Sequence, residues 1–240
     1  MENPLEVPAE EPGRERFSLR EAVAPGIAAV KHNWAPFLLM QVLAAVLVIA
    51  YYRSAGLREA TEAVQRIKST GGVPFDILTG SLACGLLPQL AKAVTGKVKD
   101  FSKPFWLEML FNAFVYSIIA IEVDYFYQFQ GSLFGIGIDW QTLVKKTTFD
   151  MAIFSPILSI PSAVVLFEWR KAGFSSKELI GSLTPRFYEQ KIVPALIPCW
   201  AFWIPMLMCV YALPPNLQFP FAQLGEASWC ILFIFIATAE

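Results

Sequence analysis

Charge is scarce in this sequence. Asp, Glu, Lys and Arg make up only 16% of it, against roughly 25% in soluble domains. The net charge of −1 gives no global pull toward nucleic acid, and no nucleic-acid partner is expected. There is a single histidine, His32, at a membrane edge. With no HExxH and no CxxC, neither a metal centre nor any other cofactor is expected. Gly131, Gly135 and Gly137 lack the lysine and following helix of a phosphate-binding loop. No GxSxG elbow occurs. The common catalytic signatures are thus absent, and the chain is not expected to be an enzyme. The first 21 residues lack a signal peptide's apolar core, and their acids argue against a cleaved organellar presequence.

The four cysteines, Cys84, Cys199, Cys209 and Cys230, lie singly inside apolar segments. They are expected to be small packing residues rather than disulfide partners or ligands.

Long apolar runs are abundant. Residues 192–213 hold no charge, and a second run at 219–239 follows Pro214, Pro215 and Asn216. A helix crossing the hydrocarbon core needs about 20 mostly apolar residues. Lipid cannot hydrogen-bond a backbone, so the pair reads as a transmembrane hairpin. Four more spans are expected, at 35–52, 73–94, 105–129 and from about 148 to 169. Aromatic residues such as Trp34, Tyr51, Trp106 and Tyr125 stand at the ends. The expected fold is an all-α multi-pass transmembrane bundle of about six helices, several bent by proline. Residues 1–20 read as a disordered acidic, proline-rich tail. Residues 21–72 hold the first span and an amphipathic extension, and 73–240 form the transmembrane core. The extension, 57–68, is expected to prolong the first helix into water, and Gly71-Gly72 to end it. Pro88 is expected to kink the second span.

Thirteen lysines and arginines fall on the N-terminal side of this arrangement and six on the other. Both termini are therefore expected on the cytoplasmic side or its equivalent.

An ionisable group at mid-membrane costs roughly 3 kcal/mol on insertion scales, so each is a functional candidate. Glu108, Asn112 and Glu122 share one face of the third span, with the two acids about 21 Å apart along it. They are candidates to line a wet passage; the plainer reading is two acids reaching water at the span ends. Asp150 enters near the start of the fourth span, where a helix dipole alone would favour it. Ser155, Ser159 and Ser162, with Ala152, read as a small-residue packing seam. Ser81 and Gly85 read likewise on the second span. Gln223 and Glu226 share a face of the sixth span, with Lys92 one candidate partner. Trp200 and Trp203 stand at mid-span. Pro198 and Pro205 free the carbonyls of Pro194 and Ala201, and the indoles or trapped water are expected to meet them.

The order of several features resembles the Mpv-seventeen and peroxisomal-membrane-protein-twenty-two family. Thr79-Gly80-Ser81-Leu82 is similar to that family's opening motif. Lys145, Lys146, Asp150, Ser155 and Pro156 follow the spacing of its Lys-rich, Asp-Gln and Ala-Pro motif. Trp200 and Trp203 match its paired tryptophans, and Pro214-Pro215 stand where Val-Pro would. Met151 replaces the Gln after the aspartate, and Ile204 separates Trp203 from Pro205. The resemblance implies a divergent member with a membrane-channel or membrane-homeostasis role, in a mitochondrial, peroxisomal or other membrane.

Three readings follow. The first is passage of small solutes or support of membrane integrity, with Glu108, Asn112, Glu122, Asp150 and Glu226 facing an interior. The second is a non-transporting scaffold that packs on itself or on other membrane proteins through small-residue seams. The third, an enzyme acting on lipid, needs a catalytic dyad that the sequence does not display.

Overall fold

Apolar runs that must close their own hydrogen bonds become helices, and their prolines then decide where those helices deform. The structure, a computed structural model, describes residues 19–96, 98 and 100–236. The tail expected at residues 1–20 lies almost wholly outside them. Eight helices follow in order among the described residues: α1 Leu19–His32, α2 Trp34–Arg53, α3 Ala55–Val94, α4 Lys103–Phe134, α5 Trp140–Lys171, α6 Ser176–Ser182, α7 Tyr188–Tyr211 and α8 Pro215–Ile236. No strand occurs among these residues. Helices α2, α3, α4, α5 and α7 are long and apolar enough to cross a membrane. The protein is an integral membrane protein built as an all-α bundle. The sixth expected span corresponds to α8, which packs along α3 and α7.

Three helices widen to π-helical turns, each leading into a proline. Leu87 N–H bonds Leu82 O, Ile160 N–H bonds Ser155 O, and Val193 N–H bonds Tyr188 O. Each donor directly precedes a proline: Pro88, Pro161 or Pro194. A proline ring crowds the residue before it out of ordinary α geometry. A wider turn relieves the crowding while keeping a backbone bond. Pro88 thus acts through a widened turn rather than a break.

The extension at 57–68 does not prolong the first helix. The chain breaks at Ser54, whose Oγ caps α3 by accepting Leu57 N–H at 3.2 Å. Gly71-Gly72 does end the extension's helix: Gly72 (φ 48, ψ −137) takes a non-helical conformation that only glycine tolerates readily, so α3 consists of two helical segments meeting at a kink, the second of them the second span. The fourth span likewise begins earlier than expected, at Trp140. Asp139 caps it by accepting Thr142 N–H at 3.0 Å and the Thr142 hydroxyl at 2.7 Å, which holds its carboxyl below the usual range.

The core gathers around α7. Phe202, Met206, Leu207, Val210 and Tyr211 are buried against Phe37 and Ala44 of α2, Ala120 and Tyr127 of α4, and Phe219 and Ala222 of α8. By contrast α2 exposes Leu39, Val42, Val46 and Ile49, a face suited to lipid. Helix α1, absent from the sequence reading, packs on α7. A Cβ on Gly26 would lie 2.6 Å from the Pro194 carbonyl oxygen.

The small residues of α3 act within the chain. A Cβ on Gly80 would lie 2.5 Å from Tyr116 O, and one on Gly85 2.6 Å from the Ala113 Cβ. Ser81 Oγ lies 2.8 Å from Ser117 Oγ. The close approach of α3 to its neighbours also corrects the cysteine expectation. Cys84, beside Gly85, forms a disulfide with Cys230 of α8, their Cα atoms 5.7 Å apart. Cys199 and Cys209 remain free.

Two expected outcomes follow. Gly80→Ala and Gly85→Ala should each lower stability by about 1–3 kcal/mol, the usual range for overpacking, read by thermal unfolding in detergent. Under non-reducing conditions a maleimide should label Cys199 and Cys209 of the denatured protein, and Cys84 and Cys230 only after reduction. Labelling of all four before reduction would exclude the disulfide.

Candidate functional site

The polar groups these helices turn inward collect in three cavities. The first lies at one rim, where α3 and α5 end and α4 and α7 begin. It encloses about 640 Å³ and is lined by Gln89, Lys92, Glu108, Asn112, Arg170 and Lys191, among others. Lys92 Nζ sits 2.8 Å from Glu108 Oε1, and Gln89 Nε2 donates to the same oxygen at 3.2 Å. Lys92 therefore pairs with Glu108, not with Gln223 or Glu226.

The second cavity, about 100 Å³, lies at the centre of the bundle. Asp150, Ser155, Ser159, Gln223 and Glu226 supply its polar lining, with Trp203 and Cys199 in its wall. Asp150 is 3% exposed and ten residues beyond the start of its helix, so a helix dipole does not explain it. The Tyr211 hydroxyl donates to Asp150 Oδ2 at 2.5 Å. Gln223 Oε1 is buried without a partner.

The third cavity, about 410 Å³, lies at the opposite rim. Its polar lining includes Lys68, Asp124, Gln128, Lys146, Asn216 and Gln218. Lys68 Nζ lies 2.6 Å from Asp76 Oδ1 and 2.8 Å from Asp124 Oδ1, while Gln128 Nε2 donates to Asp124 Oδ2 at 2.8 Å. The ammonium also sits 4.6 Å from the centre of the Phe219 ring. Asp76 is fully buried, and its Oδ2 has no partner.

Sequence reasoning missed this triad, although Asp76 inside an apolar run carried the same warning as the acids singled out. Lys68 closes the amphipathic extension at 57–68, and its helical period sets it among that segment's solvated charges. The Gly72 bend, four residues before Asp76, instead lets the lysine reach back to it.

The five candidate interior residues thus separate. Asp150 and Glu226 share the central cavity, and Glu108 and Asn112 share the first rim cavity. Glu122 lines none of the three. It accepts the Ser162 hydroxyl at 2.9 Å between α4 and α5, and its other oxygen is buried without a partner. The serines of α5 do not form one seam: Ser155 and Ser159 line the cavity, Ser162 serves Glu122, and Ala152 is exposed.

The motif residues are likewise distributed. Gly80 marks the tight α3–α4 crossing, and Pro215 lines the third cavity. Pro156 lies in the π-helical stretch Asp150–Ser159, where a nitrogen bonds five residues back. It has no N–H for Met151 O, and Trp200 Nε1 donates to that oxygen at 2.9 Å. The indole does meet a proline-freed carbonyl, but on the neighbouring helix. The Ala201 carbonyl freed by Pro205 is met by Gln41 Nε2 of α2 at 3.1 Å, not by an indole. Trp203 closes over Gly225, where a Cβ would lie 3.3 Å from its ring.

Comparison with family models, with curated proteins and with solved structures found no match.

Among the described residues one group gathers a donor set for a metal. The ligand atoms of Cys84, Cys230 and Glu226 lie within 4.8 Å of one another. The two sulfurs are bonded to each other, which leaves no thiolate to ligate an ion.

Lys68→Met should be severely destabilising, because it strands Asp76 and Asp124 without a cation. Removing one partner of a buried ion pair costs about 3–5 kcal/mol. Adding Asp76→Asn and Asp124→Asn should recover much of the loss. Thermal unfolding of the single and triple variants in detergent checks both signs.

Proposed function

We propose that this protein passes small solutes across its membrane, and that the present structure is the closed state. The observation that carries the reading is the sharing of walls between successive cavities. Tyr127 lines both the third cavity and the central one. Tyr116, Ile160 and Trp229 line both the central cavity and the first. The three therefore lie in series from rim to rim, divided by side chains rather than by backbone. Tyr127 packs edge-on against Tyr211 with ring centres 5.2 Å apart.

The lining favours some solutes over others. Whatever their protonation, Asp150 and Glu226 offer oxygens to the central cavity, and among the described residues no lysine or arginine lines it. Small neutral hydrogen-bonding solutes or small cations fit this interior, and anions do not. The motif order resembles that of the Mpv-seventeen family, and the resemblance implies the same class of role. A scaffold packing through small residues is less well supported, because Gly80 and Gly85 are already used against α4. The lysine and arginine distribution favours the first rim cavity opening on the side that carries both termini.

Flux into liposomes containing the purified protein tests this reading. Tyr127→Ala combined with Tyr116→Ala should raise entry of urea and potassium well above wild type. Glu226→Gln in that background should lower potassium entry relative to urea. If the double variant is folded yet leaves the vesicles as tight as protein-free ones, the passage reading fails.

A further inference from the structure

The third cavity holds two lysines in opposite situations. Lys68 is matched by two carboxylates. Lys146 is more deeply buried, at 2% exposure, and its ammonium has no carboxylate in contact and no hydrogen-bond acceptor among the described residues. The ammonium stands over the ring of Tyr211, 5.6 Å from Nζ to the ring centre. That ring is itself fixed, since the Tyr211 hydroxyl donates to Asp150. The neighbouring Lys145 is exposed, so this part of α5 could have kept its charge in water. A buried cation without a counter-charge opposes folding, and a cation–π contact offsets only part of that. The adjoining space, about 410 Å³, is large enough for the missing partner.

We propose that Lys146 is the recognition group for a small monoanionic oxyanion, a carboxylate or a singly charged phosphate, bound in this rim cavity. One unmatched ammonium calls for one negative charge, and Asp124 in the same cavity opposes a second. Lysine presents a compact point charge and does not demand the planar fork that arginine would. Asn216 and Gln218 add amide groups to the wall. The anion stops at the rim, because Tyr127 blocks the way and the cavity beyond it offers the oxygens of Asp150 and Glu226. The site therefore stands whether or not any solute crosses the bundle.

The test uses the purified full chain in a neutral detergent with a zwitterionic buffer. Thermal unfolding is followed while sodium acetate, sodium phosphate at pH 6 or sodium chloride is added at matched ionic strength. Wild type should gain a saturable rise in Tm with acetate or phosphate beyond that given by chloride. The stronger of the two identifies the headgroup. Lys146→Arg should keep the response. Lys146→Met should lose it, and in anion-free buffer should unfold no lower than wild type, because an unmatched charge has been removed. If Lys146 merely balances Asp76 and Asp124, Lys146→Met will unfold lower in that buffer, which overturns the proposal. So does an undiminished anion response in Lys146→Met, or no response of wild type up to about 100 mM, far above a millimolar dissociation constant. Should Lys146→Met fail to fold, acylation of Lys146 in wild type decides. At ten times the dissociation constant the anion should slow it about tenfold relative to Lys145, and equal rates overturn the proposal.

Discussion

A hydrocarbon environment offers no hydrogen bonds, so the polar groups this chain carries inward depend on partners within the protein. Proline makes that demand acute, since each one removes a donor and leaves a carbonyl exposed. The bundle answers with side chains from other helices. Trp200 of α7 reaches Met151 O on α5, Gln41 of α2 reaches Ala201 O on α7, and Tyr188 of α7 reaches Pro156 O on α5. Each of these bonds ties the rotation of one helix to that of another. A net hydrogen bond contributes about 1 kcal/mol on average, but leaving such a group unmet while buried costs more. The pattern therefore specifies helix orientation more than it adds stability.

Orientation in turn decides which acids meet. With α5 fixed against α7 by Trp200, Asp150 faces Tyr211 and the central cavity. Fixing α3 against α4 through Gly80 and Gly85 points Lys68 and Asp76 at Asp124. The disulfide between Cys84 and Cys230 then holds α8 to α3, bringing Glu226 to the same cavity as Asp150. The polar axis of the molecule is a consequence of how its proline-bent helices are locked together.

This explains what the sequence made legible. The apolar helices and the small-residue approach at Gly80 and Gly85 depend on local composition and period and could be read directly, although five of the six expected spans qualify by length and apolarity among the described residues. Partners could not. Glu108 and Glu122 share one face of α4, yet one pairs with Lys92 at the rim and the other with Ser162 between helices. Their separation along the axis places them against different neighbours. Lys68 misled for a related reason: its helical period put it among solvated charges, but the Gly72 bend changes the axis beyond it. Asp150 misled because the start of its helix was set by the Asp139 cap, ten residues before the apolar run begins in earnest. Cys84 and Cys230 are 146 residues apart, and nothing local to either marks the other.

The charges along the axis also differ in kind from rim to rim. At the first rim Lys92 and Glu108 cancel, and Lys191 lies 3.4 Å from Glu168, which also binds Lys171. Arg170 there stands over the Phe111 ring, 5.0 Å from its centre. At the far rim two lysines and two aspartates gather, yet the contacts are unequal: both aspartates crowd Lys68, and Lys146 is left to an aromatic face. Between the rims the described residues supply the oxygens and amide of Asp150, Ser155, Ser159, Gln223 and Glu226, set in an apolar wall, with no lysine or arginine. On the proposed reading, a cation entering at the far rim would exchange repulsion at Lys146 for the carboxyl oxygens at the centre. An anion would meet the reverse and stop at the first lysine with nothing else bound to it. On that reading, the arrangement that would admit one class of solute to the middle of the bundle would also retain the other at its edge.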